Sequence, residues 1–211
     1  MTGIIHFETF LMAGILLNLT PGNDTIFILT KSIAQGKNAG MMAVLGIASG
    51  SLVHTTLAAL GLSIIIAKSI LVFTIVKYAG VAYLLYIGYR MIVDRSEFAA
   101  YNSANVGTNS SIKIYRDALL TNVLNPKVAM FFIAFLPQFI DPVYRHNIAP
   151  FMLLGITFTF TGTIWCLILA NFASGIFLKL RSNQKFSGYI NRICGAVLIG
   201  LGIKLALTNR D

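Results

Sequence analysis

The sequence predicts an all-α integral membrane protein of six transmembrane helices, built as two inverted three-helix repeats with helices 1 and 4 interrupted at Pro21 and Pro126. Composition is the first observation behind this. Of 211 residues, 56% are apolar and 11% charged, with a mean hydropathy of +0.78, which leaves too little polar material to coat a water-soluble domain. Run length is the second: about six spans of about 20 residues each would consume nearly all the apolar residues, leaving none for a separate soluble catalytic domain. The third is a set of matched patterns in the two halves of the chain.

The first span covers residues 5–30 and is broken by Thr20-Pro21-Gly22, because proline lacks a backbone donor and glycine beside it lets the chain unwind. The second covers 39–67 and carries Leu45-Gly46-Ile47, with Gly36, Gly40, Gly46 and Gly50 at spacings that suit close helix packing. The third, 69–92, contains Lys77-x-x-Gly80. Asp94 to Lys113 is rich in Ser, Asn, Thr and Gly and reads as a polar cytoplasmic loop. The expected organisation is thus a first repeat over 1–93, a loop over 94–114 and a second repeat over 115–211, within one transmembrane domain. The fourth span, 116–140, breaks at Asn125-Pro126-Lys127; the fifth, 148–178, holds Leu154-Gly155-Ile156; the sixth, 187–207, holds Arg192-x-x-Gly195. These three features follow their counterparts at offsets of 105, 109 and 115 residues. Three is odd, so a duplicated three-helix unit must be inverted in the bilayer, the arrangement that points to a secondary transporter with a midplane site.

The net charge of +9 would suggest nucleic acid for a soluble protein, but here the cations are read by their side of the membrane. Lys31, Lys37, Arg90, Arg95, Lys113, Arg116, Lys179, Arg181 and Lys185 follow helices one, three and five, against Lys68, Arg145 and Arg210 on the other side. That bias puts the first group in the cytoplasm and predicts both termini outside and no nucleic-acid partner; the bacterial inner membrane as its location is what the family resemblance given below implies. Cys166 and Cys194 lie in apolar runs and read as core residues without a disulfide framework or metal site. The first segment has no basic n-region and carries Glu8, so it is expected to stay in the mature protein.

Two clusters carry the chemistry. Asn18, Thr20, Pro21, Gly22, Asn23 and Asp24 lie inside the first span, where freed backbone groups need partners and a central carboxylate costs about 2.5–3.5 kcal/mol on insertion scales. Asp24 either has a ligand or caps the restarted half-helix. Asn122, Asn125, Pro126 and Lys127 repeat the pattern with opposite charge; Lys127 either binds a ligand or pairs with Asp24. One carboxylate, one ammonium and two sets of freed backbone groups suit a zwitterion, and an α-amino acid is the natural one. His54, near the middle of the second span, is open to two roles: proton relay, or a hydrogen bond to a neighbouring helix. No enzyme constellation, nucleotide loop, cofactor motif or metal-ligand set is present, so transport must run on an ion or substrate gradient.

The chain resembles the LysE/RhtB family of bacterial amino-acid exporters. The resemblance rests on Leu19-Thr20-Pro21-Gly22-x-Asp24, Gly46-x-x-x-Gly50-x-x-x-His54 leading to Gly61-Leu62-Ser63, and Lys77-Tyr78-Ala79-Gly80-Val81-Ala82-Tyr83-Leu84. Its most specific part is Asn122-x-x-Asn125-Pro126-Lys127 followed by Phe131-Phe132 and Phe135-Leu136-Pro137-Gln138-Phe139. It implies efflux of an amino acid or derivative from the cytoplasm, coupled to protons. Asn23 departs from the family, whose members commonly have a second proline there. The resulting expectation is an amino-acid exporter working by proton antiport and alternating access, with the lipid bilayer as its surroundings and a homo-oligomer permitted by the small-residue faces. The alternatives are an exporter of a metal or other inorganic ion, or a non-transporting scaffold subunit.

Overall fold

The computed structural model describes residues 3–20, 22–62, 70–93, 110–172 and part of 192–207. Pro21, most of the 94–113 loop, Lys68, Arg95, Lys179, Arg181, Lys185, Cys194 and Arg210 lie outside the described residues, as does the side chain of Lys77. The described chain is helical, and its one β contact is an isolated antiparallel bridge between Ile4 and Ile140. There Ile5 N–H donates to the Phe139 carbonyl and Asp141 N–H to that of Gly3, each at 2.9 Å.

Helix α1 (Phe7–Leu19) ends at the Thr20–Gly22 break. Helix α2 (Asn23–Leu57) begins there and is itself interrupted at Gly36, whose φ of 82° and ψ of −180° belong to a region open essentially to glycine. A Cβ placed on Gly40 would overlap Ser32 Oγ, although residues eight apart on a straight helix are separated by about 12 Å of rise. The chain therefore folds back at Gly36, making two arms, 23–35 and 37–57. The connection left between the expected spans 5–30 and 39–67 is helical apart from the turn at Gly36, where Gly36, Lys37 and Asn38 are exposed. A π-helical turn, Ala58–Leu62, ends the second arm.

Helix α3 spans Ile70–Val93 and meets the described helical residues of 192–207 closely: a Cβ on Gly88 would lie 2.7 Å from the Gly195 carbonyl. Helix α4 (Ser111–Val123) starts five residues before the expected fourth span and stops at the second break. Helix α5 (Pro126–Met130) resumes, then passes into a π-turn (Phe131–Phe135) and a 3-10 turn (Leu136–Phe139). The two limbs of this bent span meet at 46°. Helix α6 runs over Ile148–Phe172. Among the described residues, Asn23–Gly61, counted through its fold at Gly36, and Ile148–Phe172 are by length and composition apolar enough to cross a bilayer, and the bent pair adds a third. The chain is an all-α membrane protein.

Small residues set how closely the second arm of α2 is held. A Cβ on Gly46 would collide with the Tyr115 carbonyl, one on Gly50 would come within 2.7 Å of Asn122 Oδ1, and one on Gly155 of α6 would collide with Thr55. With lipid tails as apolar as leucine, such contact rather than water exclusion draws helices together. Two hydrophobic clusters result. One is aromatic, with Phe10, Phe131, Phe132, Phe135, Phe139 and Phe158 among its members. The other is aliphatic, gathering Ile28, Leu29, Val44, Ile47, Ile114 and Leu169 around small alanines.

Candidate functional site

The two helix breaks have the same local chemistry. In an α-helix the residue four back from a proline has no N–H to accept from; for Pro21 that residue is Leu17, and for Pro126 it is Asn122. In both places the N–H one residue before the proline reaches the stranded carbonyl: Thr20 N–H is shared between Leu16 at 3.0 Å and Leu17 at 3.2 Å, and Asn125 N–H donates to Asn122 at 2.9 Å. Helical bonding then resumes, with Ile26 N–H donating to Gly22 and Ala129 N–H to Asn125, each at 3.0 Å. The Asn125 side chain caps α5 by accepting the Lys127 N–H at 3.0 Å.

Each break supplies a partner to the other. Asn122 Nδ2 donates to Asp24 Oδ2 at 2.8 Å, and Lys127 Nζ donates to the Thr20 carbonyl at 2.7 Å. A Cβ on Gly22 would stand 3.6 Å from Lys127 Nζ, an ordinary contact, so the ammonium lies directly against this residue. Asp24 Oδ2 thus takes a hydrogen bond from a different helix, across the break.

The breaks open on a cavity of about 50 Å³, room for a few waters. Asn18, Thr20, Gly22, Asp24, Asn122, Asn125 and Lys127 all line it, so seven of the residues singled out from the sequence converge. Asn18 is held by its Nδ2, which reaches Thr161 Oγ1 at 3.3 Å and the Phe158 carbonyl at 3.4 Å. Two expected site residues stand apart. Asn23 is exposed, because the first residue of the restarted helix turns its side chain away from the cavity. His54 sits behind the wall, its ring stacked on Phe132 at 5.6 Å and its Nε2 3.2 Å from the Asn122 carbonyl. A carbonyl only accepts, so Nε2 carries the hydrogen. His54 therefore provides the second donor to the carbonyl that Pro126 strands. Pro126 itself is exposed.

Sequence reasoning missed the opposite wall. Ser51, Thr159, Thr163, Trp165 and Cys166 also line the cavity. Ser51 and Thr159 share a hydrogen bond of 2.9 Å between their hydroxyls, and Thr163 Oγ1 donates to the Thr159 carbonyl at 2.7 Å. The signal was present as Thr159, Gly162, Thr163 and Cys166, which fall on one helical face. Cys166 is buried, as a core residue would be, yet it faces the polar space. Among the described residues no three metal-ligating side chains gather.

Comparison with known proteins matches this architecture to one family. The LysE type translocator profile matches residues 15–209. A protein named Uncharacterized membrane protein YrhP from Bacillus subtilis (strain 168) is 34% identical over 197 residues, covering 90% of this chain and 93% of that protein. An Uncharacterized membrane protein of Vibrio cholerae serotype O1 is 30% identical, covering 93% and 94%. The Leucine efflux protein of Salmonella typhimurium is 28% identical over 210 residues, covering 97% and 96%. No solved structure matches the chain. With the family profile running over nearly its whole length, the chain belongs to the LysE type translocator family.

Proposed function

We propose that the protein exports a small amino acid from the cytoplasm as a secondary transporter, exchanging it for protons by alternating access. One observation carries the reading: the crossed pairing of two proline breaks of opposite charge, Asn122 to Asp24 and Lys127 to Thr20, around a shared cavity. A site built this way offers a carboxylate to an ammonium and an ammonium to a carboxylate, both in low dielectric where such contacts are strong. The relative named as a leucine efflux protein and the family itself support export of an amino acid. Asp24 takes the substrate amine or, between cycles, a proton. Lys127 takes the carboxylate, leaving the Thr20 carbonyl as it does so. Asn18, Asn122 and Asn125 supply hydrogen bonds.

Six spans in two inverted repeats are the architecture that the matched features of the two halves, at offsets of 105, 109 and 115 residues, support. The cavity is far smaller than the few hundred Å³ of ordinary ligand pockets, so the site must widen to admit substrate. Lys31, Lys37, Lys113 and Arg116 belong to the helix ends beside the aliphatic cluster, which makes that cluster the cytoplasmic gate and the aromatic cluster the outer one.

The test is efflux of a panel of labelled amino acids from preloaded cells, before and after collapse of the proton gradient, with Asp24→Asn and Lys127→Ala alongside. Gradient-dependent loss of one or a few amino acids, abolished by both substitutions in protein that still reaches the membrane, is the expected result. Equal loss with and without the protein for the whole panel would end the exporter reading.

A further inference from the structure

Three polar atoms around the cavity are buried without a hydrogen-bond partner: Asp24 Oδ1, Asn122 Oδ1 and Trp165 Nε1. Buried polar atoms are almost always satisfied, and each exception needs a reason. Two of these three only accept, and the indole N–H only donates. A ligand that satisfies all three must bring donors to one end and an acceptor to the other. The ammonium of an amino acid meets the two oxygens, and the acceptor that the indole lacks is then the carboxylate.

The position of Trp165 fits that task. It follows Phe158 by seven residues and Gly162 by three on α6, the spacing of one helical face, and both of those residues line the same cavity. Its ring also packs against the aliphatic cluster, so the indole joins the polar space to the apolar wall. Burial of Nε1 separates it from the tryptophans that anchor helices at the membrane interface, where the N–H is wet.

Resting on the amino-acid reading above, we propose that Trp165 is a substrate-binding residue whose indole N–H donates to the carboxylate of the bound amino acid, sharing it with Lys127. Recognition of the carboxylate then requires both groups, and an amine that lacks it leaves the indole unmet. The rest of the ring, packed against the aliphatic cluster, is what the occupied site presses on.

Trp165 is the chain's one tryptophan, so the intrinsic emission of the purified protein reports this indole alone. The probes are the amino acid that the efflux panel identifies and the amine left by removing its carboxylate; for leucine this is 3-methylbutylamine. The amino acid is expected to shift the emission with saturable dependence, and the amine to leave it unchanged at matched concentration. In efflux, Trp165→Phe is expected to raise the half-saturating concentration about tenfold, equivalent to about 1.4 kcal/mol, with little change in maximal rate, the pattern of a lost ground-state contact. An equal shift with the amine, no shift with the exported amino acid, or an unchanged half-saturation in Trp165→Phe would each overturn the role of Trp165 while leaving the exporter standing. No export of any amino acid by membrane-inserted protein would overturn both.

Discussion

The aromatic and aliphatic clusters flank one cavity yet are built on different physical terms. On the aromatic side, Phe131 alone meets four other rings: Phe158 at 4.3 Å, Phe135 at 5.2 Å, Phe10 at 5.7 Å and Phe132 at 6.0 Å. Stacked and edge-on rings lock one another, since each can shift only if its neighbours do. The aliphatic side is made of Ala39, Ala43, Ala118 and Ala170 among larger residues, and it contains a buried Ser32 whose hydroxyl has no partner. It also holds a buried Lys31, whose ammonium lies 5.6 Å from the centre of the Phe27 ring. The comparison teaches that one cluster is held by interlocked rings and the other by small-residue contacts around an unpaired hydroxyl; in the alternating-access reading proposed above, the second would open at lower cost.

The strongest attack on this contrast is Phe131→Ala. It removes the ring shared by four others, and large-to-small changes of this kind cost about 3–5 kcal/mol; thermal unfolding in detergent should show a large loss. A drop no bigger than that of an aliphatic truncation would erase the distinction. Next comes Gly50→Ala, at the seam between the clusters, where the added methyl lands on Asn122. Overpacking there is expected to cost about 1–3 kcal/mol and to depress efflux further by displacing the amide from Asp24. Wild-type efflux in Gly50→Ala would mean that Asn122 need not stand where it does.

A finer probe is the pair His54→Ala and His54→Gln. Leaving the Asn122 carbonyl short of a donor should lower efflux about five- to tenfold in the alanine variant. Glutamine can donate from a similar position and is expected to recover most of it. Equal losses in both would return His54 to proton relay. The smallest effect is expected from Ile28→Val, fully buried in the aliphatic cluster, at about 0.5–1.5 kcal/mol. If that cluster is the side that opens, the efflux rate should be unaffected or raised, measured beside the same variant's melting temperature.

The breaks were legible because proline's missing donor and a charge in an apolar run are local facts, readable at Pro21, Asp24, Pro126 and Lys127 without a fold. That Asp24 and Lys127 reach across to Asn122 and Thr20 is a tertiary fact that spacing alone does not contain. His54 was readable only as a pair of options, and the hydrogen bond to a carbonyl supports the structural one. Asn23 was grouped with its neighbours by adjacency, but adjacent helical residues point about 100° apart, and this one points away. On α6 the run Thr157, Thr159, Thr161 and Thr163 alternates with apolar residues and glycine, a period of two that hides the helical face. Trp165 went unnoticed because a lone aromatic in an apolar helix carries no local signal.

Gly36 has one more consequence, which concerns handedness. A Cβ there would meet nothing within 4 Å, so the hairpin turn excludes L-alanine by backbone geometry alone and not by crowding. Inverting the signs of φ 82° and ψ −180° gives an ordinary extended conformation for an L-residue, which means the turn is one a D-residue adopts at ease. Placed at position 36 by chemical ligation, D-alanine should hold the two arms at least as firmly as glycine, with fewer unfolded states to lose, while L-alanine strains them. The two arms of α2 are joined at a point where the chain is, in effect, written in mirror image.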